Sequence, residues 1–320
     1  MSYLKNHYNE IFKKYSKEEL IKDIENYKSK NGKLTKTLNN FFEEEIFKCC
    51  GKKTKISPMQ CLDSDEKMEI ILKYIESKPK FFIQNEVQNV KTCLRNSMSW
   101  VRKVANFPCR TARDIYFRYN DINGDAINIL DTSCGFGSRM SAVLLSGHNY
   151  YGFDPNVSLY NKLLEYKKFM IENDVIGRQQ ICDIRCCGSE VFIKDFVNKM
   201  DVSFTSPPYF NLEKYSNDNS QSTNNYDNYS NWVINFVIPT VNNTYKYLKV
   251  GGYAMINIKN INKKETCFDD FFNAFSSNEG FEYIETFDME IPKKQYGMQY
   301  NNEKGVIKNK EPVMVFRKVK

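Results

Sequence analysis

The sequence predicts an α/β fold: a doubly wound, mostly parallel sheet of seven strands behind an N-terminal helical region. Three observations predict it. From residue 126 onward, short apolar runs alternate with helix-periodic segments, the pattern of βα units laid around a parallel sheet. The first of these runs ends in a glycine loop that opens directly into a helical segment. The composition, 41% hydrophobic and 27% charged over 320 residues, is that of a globular chain with enough apolar surface for a sizeable core.

The same composition excludes several classes. No run approaches the roughly 18 apolar residues of a membrane span, and the start Met1-Ser2-Tyr3-Leu4-Lys5 lacks an apolar signal core, so a cytoplasmic protein is expected. The ten cysteines include the vicinal pairs Cys49-Cys50 and Cys186-Cys187 and no C-x-x-C, a pattern that suits reduced thiols better than a disulfide framework. His7 and His148, the only histidines, stand far from any cysteine cluster, so no metal site is expected, with Cys182, Cys186 and Cys187 left as conceivable soft ligands. The net charge of +7 is unevenly placed: residues 1–119 carry 24 Lys and Arg against 15 Asp and Glu, the remainder 22 against 24. A basic accessory part on a near-neutral main body suits a polyanionic partner, or simply a solvated surface.

Residues 17–27 and 38–47 have helical spacing with a break at Asn31-Gly32. Residues 51–58 read as a loop, and 64–75 as a helix with Ser64 as its N-cap. Between 86 and 119, Lys91, Arg95, Arg102, Lys103, Arg110, Arg113 and Arg118 are interleaved with Trp100, Phe107, Tyr116, Phe117 and Tyr119. That mixture fits a nucleic-acid path, and equally a helix with aromatics inward and arginines in water. Phe107-Pro108 leads into a helix ending near Tyr119. Strands are predicted at 126–130, 150–153, around 180–181, at 202–204, 253–258, 281–287 and 312–316. Helices are predicted at 140–146, 158–172, 192–198, 268–276 and 232–248, the last closed by Gly251-Gly252. The boundary between accessory region and main domain falls at 104/105.

Two loops carry the chemistry. Asp131-Thr132-Ser133-Cys134-Gly135-Phe136-Gly137 follows the first strand and precedes a helix, so the glycines allow close backbone approach and the helix N-terminus favours a negative group. Asp154, at the end of the next strand, suits both hydroxyls of a ribose, and Asp131 suits either an ammonium or a buried loop hydrogen bond. The third glycine of a dinucleotide fingerprint is missing, which disfavours a pyrophosphate and favours a smaller cofactor with an amino-acid end. The second loop is Thr205-Ser206-Pro207-Pro208-Tyr209. Its prolines fix two φ angles and remove two backbone donors, so Ser206 and the loop carbonyls face a fixed direction beside the Tyr209 ring. Fixed acceptors next to a ring suit a planar base with an amino group.

On these residues the chain resembles the S-adenosylmethionine-dependent DNA amino-methyltransferases that act on N4 of cytosine or N6 of adenine, and is similar overall to phage-encoded DNA methylases. Asp131-x-x-x-Gly135-x-Gly137 resembles the family's cofactor loop, Asp154 its ribose-binding acid, and Thr205–Tyr209 its catalytic loop. The resemblance, over about 105–320, implies a Rossmann-like methyltransferase sheet. It also implies cofactor contacts from Phe107 and Pro108, from Asp131 and Ser133 with Gly135 and Gly137, from Asp154 with Pro155, and from Ser189 and Glu190, the last pair facing the adenine. It further implies double-stranded DNA as partner, with the target base flipped out of its stack, in a bacterial or phage-infected cell. Ser206 and the Pro207 carbonyl would then accept hydrogen bonds from the exocyclic amine while Tyr209 stacks on the base. An RNA or protein-amide methyltransferase, or an inactive nucleic-acid-binding subunit, are the alternative readings. Loops 216–231 and 292–311 are further candidates for nucleic-acid contact. No cysteine nucleophile is needed, and Cys109 and Cys134 read as structural.

Overall fold

The computed structural model describes residues 8–9, 11–29, 33–51, 57–77, 104–210, 213–214, 225–291 and 309–320. Lys91, Arg95, Trp100, Arg102 and Lys103, most of 216–231 and most of 292–311 lie outside them.

Seven strands form the main sheet: β2 (Asn128–Asp131), β3 (Asn149–Phe153), β4 (Cys182–Arg185), β5 (Met200–Thr205), β7 (Leu248–Asn257), β8 (Phe281–Ile291) and β9 (Asn309–Lys318). Their spatial order is β4-β3-β2-β5-β7-β9-β8, and only β9 runs antiparallel to its neighbours. A separate antiparallel pair joins β1 (Cys50–Gly51) to β6 (Glu213–Lys214). The helices are α1 (Lys17–Lys28), α2 (Lys36–Lys48), α3 (Pro58–Leu62), α4 (Asp65–Ser77), α5 (Cys109–Tyr116), α6 (Ser138–Leu144), α7 (Val157–Glu172), α8 (Tyr229–Trp232), α9 (Ile238–Tyr247) and α10 (Cys267–Ser276). The doubly wound sheet predicted from the alternation is therefore present.

The apolar runs are continuous because the strands are buried on both faces. Ile129, Val202, Phe204, Met255, Val313 and Val315 enter one core with α1, α2, α5, α6 and α7. Leu130, Ala254, Ile256, Met314 and Phe316 point the other way, into a core with α8, α9 and α10. Successive side chains of a strand take opposite faces, so a run such as Val313-Met314-Val315-Phe316 feeds both cores at once.

Three predicted elements differ, each for a local reason. Gly251-Gly252 does not close the preceding helix. It lies inside β7, where Gly251 has φ +89° and a Cβ on Gly252 would come within 2.8 Å of the Asp201 carbonyl. The pair makes the irregularity by which β7 follows β5. The helix before it is continuous with α8 through a π-turn at Val233–Val237. Pro239 has no N–H and its ring crowds the carbonyl four residues back, so the coil widens there, and the Asn235 carbonyl accepts from the Tyr226 hydroxyl at 3.2 Å. The helix expected at 192–198 is one 3₁₀ turn, Lys194–Phe196, stopped by Asn198 in the left-handed region at φ 52°.

The N-terminal helices are part of this frame. The Arg110 guanidinium donates to the Tyr27 and Ser29 carbonyls at the end of α1, an arginine closing a helix C-terminus. On α2, Phe41 and Phe42 meet Tyr166 of α7 at ring separations of 5.0 and 5.5 Å. Phe42 is fully buried, and its ring would lie 2.4 Å from a Cβ on Gly137, which itself has φ +73°. Gly137 is thus fixed twice, by its backbone conformation and by an aromatic wall from α2. Phe42→Ala should lower the unfolding free energy by about 3–5 kcal/mol, the usual cost of emptying a buried aromatic site. Urea unfolding checks this, and a loss below about 1 kcal/mol would show that α2 merely rests on the sheet.

Candidate active site

The chain leaves β2, builds outward through β3 to β4, then returns to the other side of β2 as β5. Ligands of open α/β sheets bind where the strand order reverses in this way, outside the carboxyl ends. Here the loops that leave the two strands are Asp131–Gly137 and Thr205–Tyr209, the two picked out from sequence. Pairing of Ile129 with Val202 and Leu130 with Ser203 brings their starting points side by side.

The contact between them is Asp131, which has no exposed surface. Its Oδ1 accepts from the Thr205 hydroxyl at 2.9 Å and from the Ser133 N–H at 3.2 Å. Its Oδ2 accepts from Arg139 Nε and from the Tyr150 hydroxyl, each at 2.9 Å. Four donors fill a buried carboxylate, the condition under which burying a charge is tolerable. Of the two roles the sequence left open for Asp131, the geometry gives it the bracing one. Burial pushes the Tyr150 phenol well up, so it stays a donor; the Asp131 carboxylate holds the Arg139 guanidinium above its usual range.

Sequence reasoning passed over Arg139. It is 6% exposed, donates to the Ser133 carbonyl as well as to Asp131, and lies 5.5 Å beneath the centre of the Phe107 ring. The available signal was its place in the first turn of α6, where a cation opposes the helix dipole and so needs another partner. Phe107 also meets Phe204 edge-on at 5.6 Å, and Asn106 donates to the Phe136 carbonyl at 2.9 Å. The Phe107-Pro108 segment therefore lies against the cofactor loop.

Asp154 is 7% exposed. Its Oδ2 accepts from the Gly135 N–H at 3.3 Å and its Oδ1 from the Asn156 N–H at 3.0 Å, while Pro155 between them is half-buried. Each oxygen keeps acceptor capacity for one more donor. Burial raises its pKa to about 7. Gly135 has φ +58°, the left-handed region that favours glycine, and a Cβ built there would sit in ordinary contact with Arg139 at 3.7 Å and the Ser133 carbonyl at 3.9 Å. In the same loop and the first turn of α6, Thr132 Oγ1 and Ser138 Oγ are buried without a hydrogen-bond partner. Hydroxyl groups beside a glycine cradle, with a carboxylate able to take two more donors, fit a nucleoside carrying a charged amino-acid end. Ser189 turns its hydroxyl away, to Thr240 Oγ1 at 2.9 Å, and Asn243 donates to the carbonyls of Ser189 and Glu190 at 3.0 and 2.9 Å. The Glu190 side chain folds back over Gly188 and hydrogen-bonds Tyr226, and burial raises its pKa.

In the second loop Pro207 is buried, and Ser206, Pro208 and Tyr209 are half-buried. The Tyr209 hydroxyl accepts from the Lys259 N–H at 3.2 Å, so its ring is held at the far end by the chain leaving β7. Thr205 faces Asp131, and the Tyr209 ring packs against the core of α8, α9 and α10. Among the described residues no group of three His, Cys, Asp or Glu is placed to hold a metal ion.

A glycine loop and a proline-stiffened loop thus leave adjacent strands at the switch point of an open α/β sheet, where ligands of such sheets bind. Residues 200–320 match the model of a family described as DNA methylase, of the N6/N4 kind. The match starts at β5, takes in Thr205–Tyr209 and β9, and implies S-adenosylmethionine as the cofactor. No curated protein matches the sequence. Among solved structures, the chain is similar to an S-adenosylmethionine-dependent O-methyltransferase from Thermotoga maritima, at 10% identity over 70% of this chain and 71% of that one, with a TM-score of 0.41. It is also similar to a tRNA methyltransferase from Aquifex aeolicus, at 11% identity, 68% and 72% coverage and a TM-score of 0.42. A third is an rRNA methylase from Streptococcus thermophilus, at 10% identity, 68% and 99% coverage and a TM-score of 0.40.

The ionised form of Asp154 is the one that accepts from two hydroxyls. Because its folded pKa is raised to about 7, it is largely protonated at pH 6 and largely ionised at pH 8. Calorimetric affinity for S-adenosylhomocysteine should therefore rise about tenfold from pH 6 to pH 8, and Asp154→Asn should weaken binding and flatten the pH dependence. A flat wild-type profile would remove Asp154 from the ribose site.

Proposed function

We propose that this chain transfers a methyl group from S-adenosylmethionine to the exocyclic amine of a DNA base, N4 of cytosine or N6 of adenine. The observation that carries the reading is the single Asp131 carboxylate from which both loops hang, Ser133 on one side and Thr205 on the other. The family match over 200–320 supports DNA as the substrate class.

When bound, S-adenosylmethionine supplies an electrophilic methyl on a sulfonium. The protein's own residues do the rest by holding and aiming. The backbone at Gly135 receives the cofactor's amino-acid end, Gly137 makes the turn against Phe42, and Ser133 and the Thr132 and Ser138 hydroxyls are at hand. Asp154, beside Pro155, takes the ribose hydroxyls. Glu190, after Ser189, faces the adenine side, and Phe107-Pro108 cover the methionine end. Ser206 and the Pro207 carbonyl accept from the base's amine, which draws its nitrogen lone pair out of ring conjugation and points it at the methyl. Tyr209 stacks on the base, and Pro208 keeps ring and acceptors in one orientation. Flipping the base costs a few kcal/mol, offset by that stacking and those edge contacts. The remaining acceleration is proximity between a fixed nitrogen and a fixed methyl. Residues 1–104 act as an accessory region that backs the cofactor loop through Phe42.

Ser206→Ala should lower kcat about 10²-fold, the usual scale for one oriented polar group at a reacting centre. Tyr209→Ala should lower kcat and raise KM for DNA. Tritiated-methyl incorporation measures both. A Ser206→Ala enzyme at the wild-type rate contradicts the reading. Modification-sensitive sequencing of DNA from cells expressing the protein gives the base and its sequence context, and unmodified DNA beside methylated RNA would move the substrate to RNA.

A further inference from the structure

Thr205 opens the catalytic motif, yet its side chain does not face the space offered to a base. It has no exposed surface, and its hydroxyl donates to Asp131 Oδ1 at 2.9 Å. The same oxygen accepts from the backbone N–H of Ser133, inside the cofactor loop, at 3.2 Å. One atom therefore holds the first residue of one loop and the third residue of the other. The carboxylate has little freedom to yield, because its second oxygen is held by Arg139 and Tyr150, themselves 6% and 0% exposed. Arg139 also grips the Ser133 carbonyl, so Ser133 is tied at both its N–H and its C=O. Beyond Thr205 two prolines remove most of the torsional freedom, so a change of orientation at Thr205 is carried to Tyr209 rather than absorbed. At its other end the loop is anchored by Lys259 N–H on the Tyr209 hydroxyl.

We propose that Thr205 is a positioning residue that couples the two halves of the site: ordering of the Asp131–Gly137 loop by the cofactor is passed through Asp131 Oδ1 to the orientation of Ser206–Tyr209, so that cofactor and DNA bind cooperatively. The inference rests on the methyl-transfer reading and deepens it. Coupling of this kind is reciprocal: the factor by which cofactor tightens DNA is the factor by which DNA tightens cofactor. Tyr150 supplies the comparison. It places an equally buried hydroxyl on the same carboxylate, but on the oxygen that the catalytic loop does not share.

The test uses the full chain, S-adenosylhomocysteine, and a duplex carrying the sequence found methylated in expressing cells. Fluorescence anisotropy gives the DNA affinity with and without S-adenosylhomocysteine. Wild type should bind DNA at least about fivefold more tightly with it, the low end of typical coupling. Thr205→Val should bring that ratio to about one and lower kcat, with the affinity for S-adenosylhomocysteine alone changed less than about threefold. Thr205→Ser, which keeps the hydroxyl, should restore the ratio. Tyr150→Phe should lose comparable stability and keep it. Should Thr205→Val not fold, Thr205→Ala carries the same expectation, and the Thr205→Ser and Tyr150→Phe ratios still decide. A wild type whose DNA affinity ignores the cofactor, a Thr205→Val protein with the wild-type ratio, or equal loss in Tyr150→Phe would overturn the proposal. Absence of any methyl transfer by wild type would instead sink the functional reading on which it rests.

Discussion

The Asp131 carboxylate is the constraint on which the rest of the site depends. A fully buried anion is tolerable only when its lone pairs are filled, and here the filling groups come from four places: the cofactor loop, α6, β3 and β5. Satisfying one charge therefore fixes four elements relative to each other. The two loops at the switch point become parts of one assembly, and removal of any donor leaves a buried oxygen short of a partner, at a typical cost of about 1–3 kcal/mol.

Around that anchor the molecule supplies stiffness from three directions. The sheet contributes strands sandwiched between two cores, so the carboxyl ends of β2 and β5 have little room to move. The N-terminal helices contribute the Phe42 ring behind Gly137, which closes the back of the Asp131–Gly137 loop. The chain after β7 contributes the Lys259 N–H that holds Tyr209. Each is a contact between residues far apart in sequence. Together they brace the Asp131–Gly137 and Thr205–Tyr209 loops from behind, the kind of support that catalysis by positioning demands.

Much of this was legible in the sequence, and the limits have physical reasons. Runs such as Ala126–Leu130 and Val202–Phe204 announced buried parallel strands because both their faces are apolar. Gly135, Gly137 and the prolines of Thr205–Tyr209 announced two constrained loops because glycine and proline shape the backbone wherever they occur, and the structure sets those loops at the ends of adjacent strands. Gly251-Gly252 misled for the same reason: a glycine pair marks an unusual backbone, but whether it ends a helix or bulges a strand depends on the Asp201 carbonyl beside it. Pro239 marked a perturbed helix without saying that a π-turn would absorb it. Phe42 was invisible as a site residue because its partner Gly137 is distant in sequence, whereas Arg139, close in sequence to Asp131, was marked only by a cation in the first turn of α6.

One buried carboxylate joins the Asp131–Gly137 loop to the Thr205–Tyr209 loop. A crystal structure with S-adenosylhomocysteine bound tests it most directly. The account predicts the ribose hydroxyls on Asp154, the amino-acid end over Gly135, the sulfur facing Ser206–Tyr209, and the Asp131–Thr205 hydrogen bond intact. A ligand whose ammonium takes Asp131 away from Thr205, or one bound away from the β2–β5 edge, would contradict it.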